Sequence, residues 1–214
     1  MVAVMAKPGP RRATARRGGQ HRAADTRAAL VRAATEALRD DGFAGASARE
    51  IARRAQCNQA SVFYHFGGVT NLLLAALDEV SALRLEVYRD LLERAESITD
   101  LVDSARTVFV EDLDSGHVVV LLEMISGAQC TPGLGEQVSE RLTPWREYAE
   151  SAVRKGFAGS PVAAFLPASL IAHAVLAGFL GLELLANLDG DRSKGLALFD
   201  QAGLVAELMM GGRQ

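Results

Sequence analysis

Residues 47–66, SAREIARRAQCNQASVFYHF, decide the fold, because they divide into two short helices joined by a tight turn. Ser47 with Glu50 three residues later makes a capping-box pattern. The hydroxyl accepts from the Glu50 amide and the carboxylate reaches back to the Ser47 amide. Ile51, Ala52 and Ala55 form the inward face of this helix. Asn58 is placed to cap the second helix, whose buried stripe is Val62 and Phe66 at i, i+4 spacing. At about 100° per residue, Ala60, Ser61 and Tyr64 point away from that stripe, Phe63 and His65 flank them, and Gln59 stands at the exposed tip. Outward residues that are small or hydrogen-bonding suit a helix entering a major groove only about 12 Å wide. The pair is therefore predicted to be a DNA-reading helix-turn-helix.

Outward from this unit, the stretch from Arg27 to Leu77 resembles the DNA-binding domain of the TetR/AcrR family of bacterial transcriptional regulators. The resemblance is carried by Gly42-Phe43 closing a first helix, by Ser47 to Ala55, and by Val62-Phe63-Tyr64-His65-Phe66 followed six residues later by Leu72. It implies base contacts from Arg49, Gln59, Ala60, Ser61 and Tyr64, and phosphate contacts from Ser47, Asn58, Phe63 and His65. Arg49 suits guanine, whose N7 and O6 a guanidinium can bond together, and Gln59 suits adenine in the same bidentate sense. The alternative for Arg49 is a solvated arginine on a helix face, and for His65 a local cap at the helix end. Two departures stand out. Gln56 occupies the turn where the family usually has Gly, which requires a left-handed backbone. Gly67-Gly68-Val69-Thr70-Asn71 follows Phe66 where the family commonly has Lys then Glu, so a usual phosphate-contacting lysine is missing.

The net charge of −3 is unevenly distributed along 214 residues. Residues 1–24 carry six basic side chains and no acid, residues 25–66 carry six basic and five acidic, and residues 67–214 carry eleven basic and twenty-one acidic. Positive potential is thus confined to the end bearing the motif. The first 24 residues, with Pro8, Gly9, Pro10, Gly18 and Gly19 among their arginines, are expected to be a disordered basic arm that either follows phosphates or merely solubilises. Residues 25–70 are expected to form the helix-turn-helix domain and 71–214 a larger effector-binding and dimerisation domain. The basic N-terminus runs into an amphipathic helix with no signal-peptide pattern, so a cytoplasmic protein is expected. Cys57 and Cys130 do not make a disulfide framework, and a reducing compartment keeps them as thiols.

The rest of the chain reads as all-α, with helices expected near 26–41, 47–54, 58–65, 70–96, 99–115, 117–128, 133–156, 161–188 and 192–211. Residues 161–188 are nearly all apolar. Pro167, Ser169, His173 and Glu183, with no flanking basic or aromatic belt, argue against a membrane span. A helix apolar all round is buried on every side. With residues 192–211 it is the expected homodimer interface, as in the resembled family, where small residues such as Gly178 and Gly181 allow close approach. Two heads about 34 Å apart would then read a palindromic operator on double-stranded DNA.

The resemblance also implies a small-molecule effector bound among the central helices. Phe109, Leu113, Val120, Met124, Trp145, Tyr148 and His173 are its expected lining, with Glu123 or Gln129 offering polarity, against a bland alternative of core packing. Glu123 stands among Val118, Val119, Val120, Leu121, Leu122, Met124 and Ile125, so it lies either at an exposed edge or buried with a partner, a cationic ligand being one. His21, His65, His117 and His173 are too scattered for a metal site, and no cofactor is implied. An α-helical enzyme is disfavoured by the lack of nucleophile–base patterns or phosphate-cradling loops. A membrane-associated or protein-interaction adaptor, and a regulator without effector, are the remaining alternatives to an effector-released repressor.

Overall fold

In the computed structural model the described residues are 11–158, 165 and 167–211, with side chains described from 22 to 207 outside the gaps. Among the described residues the order is α1 (Arg11–Gly45), α2 (Ala48–Arg54), α3 (Ala60–Phe66), α4 (Val69–Arg94), α5 (Ile98–Ser115), α6 (His117–Ala128), α7 (Leu134–Arg141), α8 (Thr143–Gly156), α9 (Ala168–Asp189) and α10 (Ser193–Gly211). No strand occurs among the described residues, so the chain is all-α as its periodicity predicts.

α1, α2 and α3 fold round one core with the start of α4. Leu30, Ala34 and Leu38 of α1 meet Ile51, Val62, Leu72 and Leu73, all at 1% exposure or less. α1 breaks at Gly42, whose φ of 70° lies in the left-handed region. A Cβ there would also stand 2.9 Å from Glu123 Oε2, so glycine is required twice over. The same core runs on into Val120 and Met124 of α6 and Leu134 of α7. The head therefore rests directly on the body.

The turn between α2 and α3 has the left-handed residue its sequence requires. Gln56 has φ 52°, the one positive value at a non-glycine residue among those described. We expect Gln56→Gly to raise stability by about 1 kcal/mol, because glycine enters this region without the Cβ penalty. Urea unfolding at equal protein concentration reads it, and a loss would show that the Gln56 side chain contributes more than its backbone costs.

Several elements depart from the expected spans. The helix expected over 133–156 is two, α7 and α8, because Pro144 supplies no amide to an i−4 carbonyl and serves only in the first turn of α8. The helix expected from residue 161 begins after Pro167, and residues 159–164 and 166 lie outside those described. α5 opens with a full capping box, Ser97 Oγ accepting from Asp100 N at 3.0 Å and Asp100 Oδ2 accepting from Ser97 N at 2.9 Å. Of the expected arm, residues 1–10 lie outside the described residues, and 11–24 stand in α1 instead of being unstructured. Arginine and alanine, which dominate that stretch, are among the strongest helix formers.

α9 is long and apolar enough to cross a membrane, 22 residues with a mean hydropathy of 1.8 and only 11% of its apolar window buried. The all-round burial expected of it is thus not met within one chain. Its buried residues, Ala172, Glu183 and Ala186, lie on one side. There it packs on α8, where Ala172 meets Ala149 and Val153, and on α5. Leu170, Leu185 and Leu188 of α9, with Leu198, Leu204 and Val205 of α10, stay exposed.

Candidate functional site

The exposed end of the head is built by local rules. Ser47 Oγ accepts from Glu50 N at 3.3 Å and starts α2, as its sequence predicts. The other half of the expected box is absent. The Glu50 carboxylate turns along the helix to Arg53 Nε at 2.8 Å and Arg54 Nε at 2.8 Å. Two guanidiniums outbid one amide for a carboxylate, and they hold Glu50 down at about 2. Arg54 goes on to Asp40 at 2.5 Å and Asp41 at 2.8 Å, tying α2 to the end of α1.

α3 starts one residue later than its expected cap, but Asn58 still does the capping. Its Oδ1 accepts from Ala60 N at 2.9 Å. Val62 is fully buried, Phe66 is half-buried under the Arg27 guanidinium at 4.9 Å, and the outward face follows from them. Tyr64 is 83% and Phe63 53% exposed, an arrangement a chain seldom keeps for its own stability. Ser47, Arg49, Asn58, Gln59 and Ala60 are exposed, while Ser61 and His65 are partly so. His65 lies edge-to-face against Tyr64, with ring centres 5.0 Å apart. All nine residues assigned to DNA by resemblance therefore sit on α2, α3 or their caps at the solvent-facing end. In the slot without the usual lysine, Asn71 Nδ2 donates to Phe66 O at 2.9 Å and closes α3 on Gly67.

A second feature is a cavity of about 390 Å³ in the body, walled by α4, α5, α6, α8, α9 and α10. Trp145 and Tyr148 line it as expected. The other expected lining residues are elsewhere. Val120 and Met124 are fully buried in the core beneath the head, because their face of α6 turns to α1 and α4. Phe109 is buried behind the wall, its ring 6.2 Å from Phe179 and 5.4 Å from Phe199. Leu113 is half-buried outside the cavity, His173 is exposed on α9, and Gln129 lies in a surface hollow after α6. The carboxylate of Glu123 has a partner, but it is the Phe43 amide, which donates at 2.8 Å.

The polar end of the cavity was not anticipated. Arg84 and Tyr88 of α4, Asp112 of α5 and Glu183 of α9 meet there, with Arg84, Asp112 and Glu183 each at most 9% exposed. Arg84 Nε stands 2.5 Å from Asp112 Oδ1, an ion pair whose N–H is not aligned as a hydrogen bond, and Tyr88 Oη donates to Asp112 Oδ2 at 2.6 Å. Burial first, then Asp112, pushes Glu183 up to about 9, so its carboxyl is neutral at pH 7. Burial and then Arg84 lower His117, whose Nδ1 lies 2.6 Å from Ser115 Oγ. One signal for this cluster was present in the sequence: a lone Glu183 in an apolar helix requires a buried partner.

α6 joins the two features. Its His117, Val118 and Leu121 line the cavity, and its Glu123 and Gly127 hold Gly42-Phe43 at the end of α1. A Cβ on Gly127 would come within 2.3 Å of the Phe43 ring. Gly127→Ala is expected to cost about 1–3 kcal/mol by overpacking. That corresponds to a fall of roughly 2–4 °C in Tm per kcal/mol for a chain of this size. An unchanged Tm would mean that the Phe43 ring moves aside freely.

Residues 30–76 match the family described as bacterial regulatory proteins, tetR family. Over its head, this chain is thus similar to the tetR family of bacterial regulatory proteins. The HTH-type transcriptional repressor Rv3405c of Mycobacterium tuberculosis is 38% identical over 73 residues, which cover 32% of this chain and 39% of that protein. The match thus spans well under half the length of that relative. Beyond the head, the fold is shared. A transcriptional regulator FadR from Bacillus subtilis, solved with stearoyl-CoA, superposes with a TM-score of 0.70 at 14% identity, over 83% of this chain and 96% of that one. The regulatory protein TetR from Rhodobacter sphaeroides gives 0.67 at 18% identity, over 82% and 95%.

Proposed function

We propose that this chain is a homodimeric, DNA-binding transcriptional repressor that leaves a palindromic operator when a small molecule occupies the body cavity. The reading rests above all on one observation: a single helix, α6, lines the cavity on one side and grips the end of α1 on the other. A ligand that binds better to one arrangement of α6 shifts the heads by that difference in affinity. The head supplies DNA contact through Arg49, Gln59, Ala60, Ser61 and Tyr64 at bases and Ser47, Asn58, Phe63 and His65 at phosphates. The exposed apolar faces of α9 and α10 supply the dimer interface, placing the two heads for successive major grooves. The repressor name of the M. tuberculosis relative and the stearoyl-CoA in the B. subtilis FadR structure support the repressor and effector parts.

The purified chain, titrated across a salt series against the DNA beside its own gene and against scrambled DNA of equal length, tests this. A preference of roughly a thousandfold with two subunits bound is expected for a specific regulator. Weak binding indifferent to sequence and falling steeply with salt would overturn it. The exposed apolar face of α9 favours one rival, a membrane-associated adaptor. A stable dimer without detergent counts against that rival, and partition into neutral vesicles counts for it.

A further inference from the structure

We infer that the body cavity takes an apolar molecule carrying an amine, its ammonium head held between Glu183 and Asp112 and its body lying against Trp145, Tyr148 and Phe179. This deepens the effector reading above and rests on it.

The charges facing the polar end decide the sign of the ligand. α4 contributes Arg84 and the Tyr88 hydroxyl, α5 contributes Asp112 with Glu111 farther out, α6 contributes His117, and α9 contributes Glu183. Arg84 is the cation of the cavity wall, and it is already engaged, Nε with Asp112 at 2.5 Å and Nη2 with Glu111 at 3.5 Å. Burial, then Arg84 and then Arg39 of α1, keep the His117 imidazole below its ordinary range, Arg39 acting from outside the cavity lining. Among the described residues that line the cavity, an anionic head would therefore meet no unengaged arginine or lysine and would approach Asp112. Two buried carboxyls face one arginine, and a proton on Glu183 relieves the excess.

An ammonium relieves the same excess differently. As it enters, Glu183 gives its proton to solvent and becomes the carboxylate partner of the incoming cation, so charge balances with the net release of one proton. The aromatic wall favours a cation as well. The Tyr88 ring stands 5.1 Å from Trp145 and 5.4 Å from Tyr148, both edge-to-face, and already carries the Arg84 guanidinium at 5.7 Å from its centre, so this aromatic group accommodates positive charge. Leu77, Val80, Val108 and Val153 supply the apolar remainder, against which a hydrocarbon body leaves water.

Trp145 is the single tryptophan of the chain and lines the cavity, so its fluorescence reports occupancy of the full-length protein. Decylamine, 1-decanol and decanoate, which share a chain and differ in head charge, are the probes. Decylamine is expected to bind about tenfold more tightly than decanol, with decanoate weakest. Its binding at pH 7 should release about one proton, measured by calorimetry in buffers of different ionisation heat. Glu183→Gln should erase the preference for the amine while leaving decanol binding in place, which also certifies the fold of the variant. Decanoate or decanol binding as tightly as decylamine, or a preference that survives Glu183→Gln, would overturn the amine assignment and leave the cavity as an effector site. If none of the three changes Trp145 fluorescence, the effector reading itself falls.

Discussion

Asp112→Ala is expected to destabilise the folded chain by about 3–5 kcal/mol, the cost of leaving a buried charge without its partner. Asp112 is 6% exposed and serves two groups at once, the Arg84 guanidinium and the Tyr88 hydroxyl. Its loss strands both. Glu111 is a poor replacement, at 3.5 Å and with half its side chain in water. Glu183 is a better one. Without Asp112 beside it, Glu183 ionises more readily and takes up part of the Arg84 charge, so the single variant belongs at the lower end of the range. Adding Glu183→Gln removes that rescue and moves the loss to the upper end.

The opposite treatment separates charge from packing. Replacing the pair together, as Arg84→Met with Asp112→Leu, should lose markedly less than Asp112→Ala alone, because no unpaired ion remains. Urea unfolding of the four proteins measures this, and the fall in Tm for Asp112→Ala should be on the order of 6–20 °C in a domain of this length. A loss below about 1 kcal/mol, the ordinary value for a solvated pair, would show that water reaches Arg84.

The head was legible in the sequence because its signals are local. Ser47, Asn58, Gln56 and the Val62–Phe66 stripe each act within four residues of themselves, and each stands where its spacing predicts. The half of the capping box that failed did so through a competitor three and four residues away, the Arg53 and Arg54 pair. The body was less legible, since hydrophobic periodicity says that a residue is buried and not which neighbour buries it. Val120 and Met124 are compatible with either pocket or core from periodicity alone, and their place in the core against α1 follows from how α6 packs. The cluster of Arg84, Asp112 and Glu183 joins residues 28 and 71 positions apart along the chain, on helices whose pairing no local pattern encodes. The sequence leaves Glu123 either at an exposed edge or with a partner; it has a partner, and an amide 80 residues away cannot be found by spacing.

On the proposed DNA contacts, Arg49→Ala is expected to weaken operator binding by about 1–3 kcal/mol for each head that loses a bidentate guanine pair. A dimer reads two half-sites, so the loss doubles to about 2–6 kcal/mol, a factor on the order of 30 to 10,000 in Kd. The fold should not suffer, because Arg49 is exposed and no hydrogen bond of its side chain occurs among the described residues. Arg54 provides the contrast on the same helix. Its guanidinium is held by Asp40, Asp41 and Glu50, so Arg54→Ala should lower Tm and leave the ranking of operator sequences unchanged. His65→Ala, at a proposed phosphate contact, should weaken operator and scrambled DNA alike. Binding of the three variants to the operator and to single-base changes in it, at two salt concentrations, distinguishes these roles. If Arg49→Ala weakens all sequences equally, Arg49 holds the backbone and base reading passes to Gln59 and Tyr64 on α3.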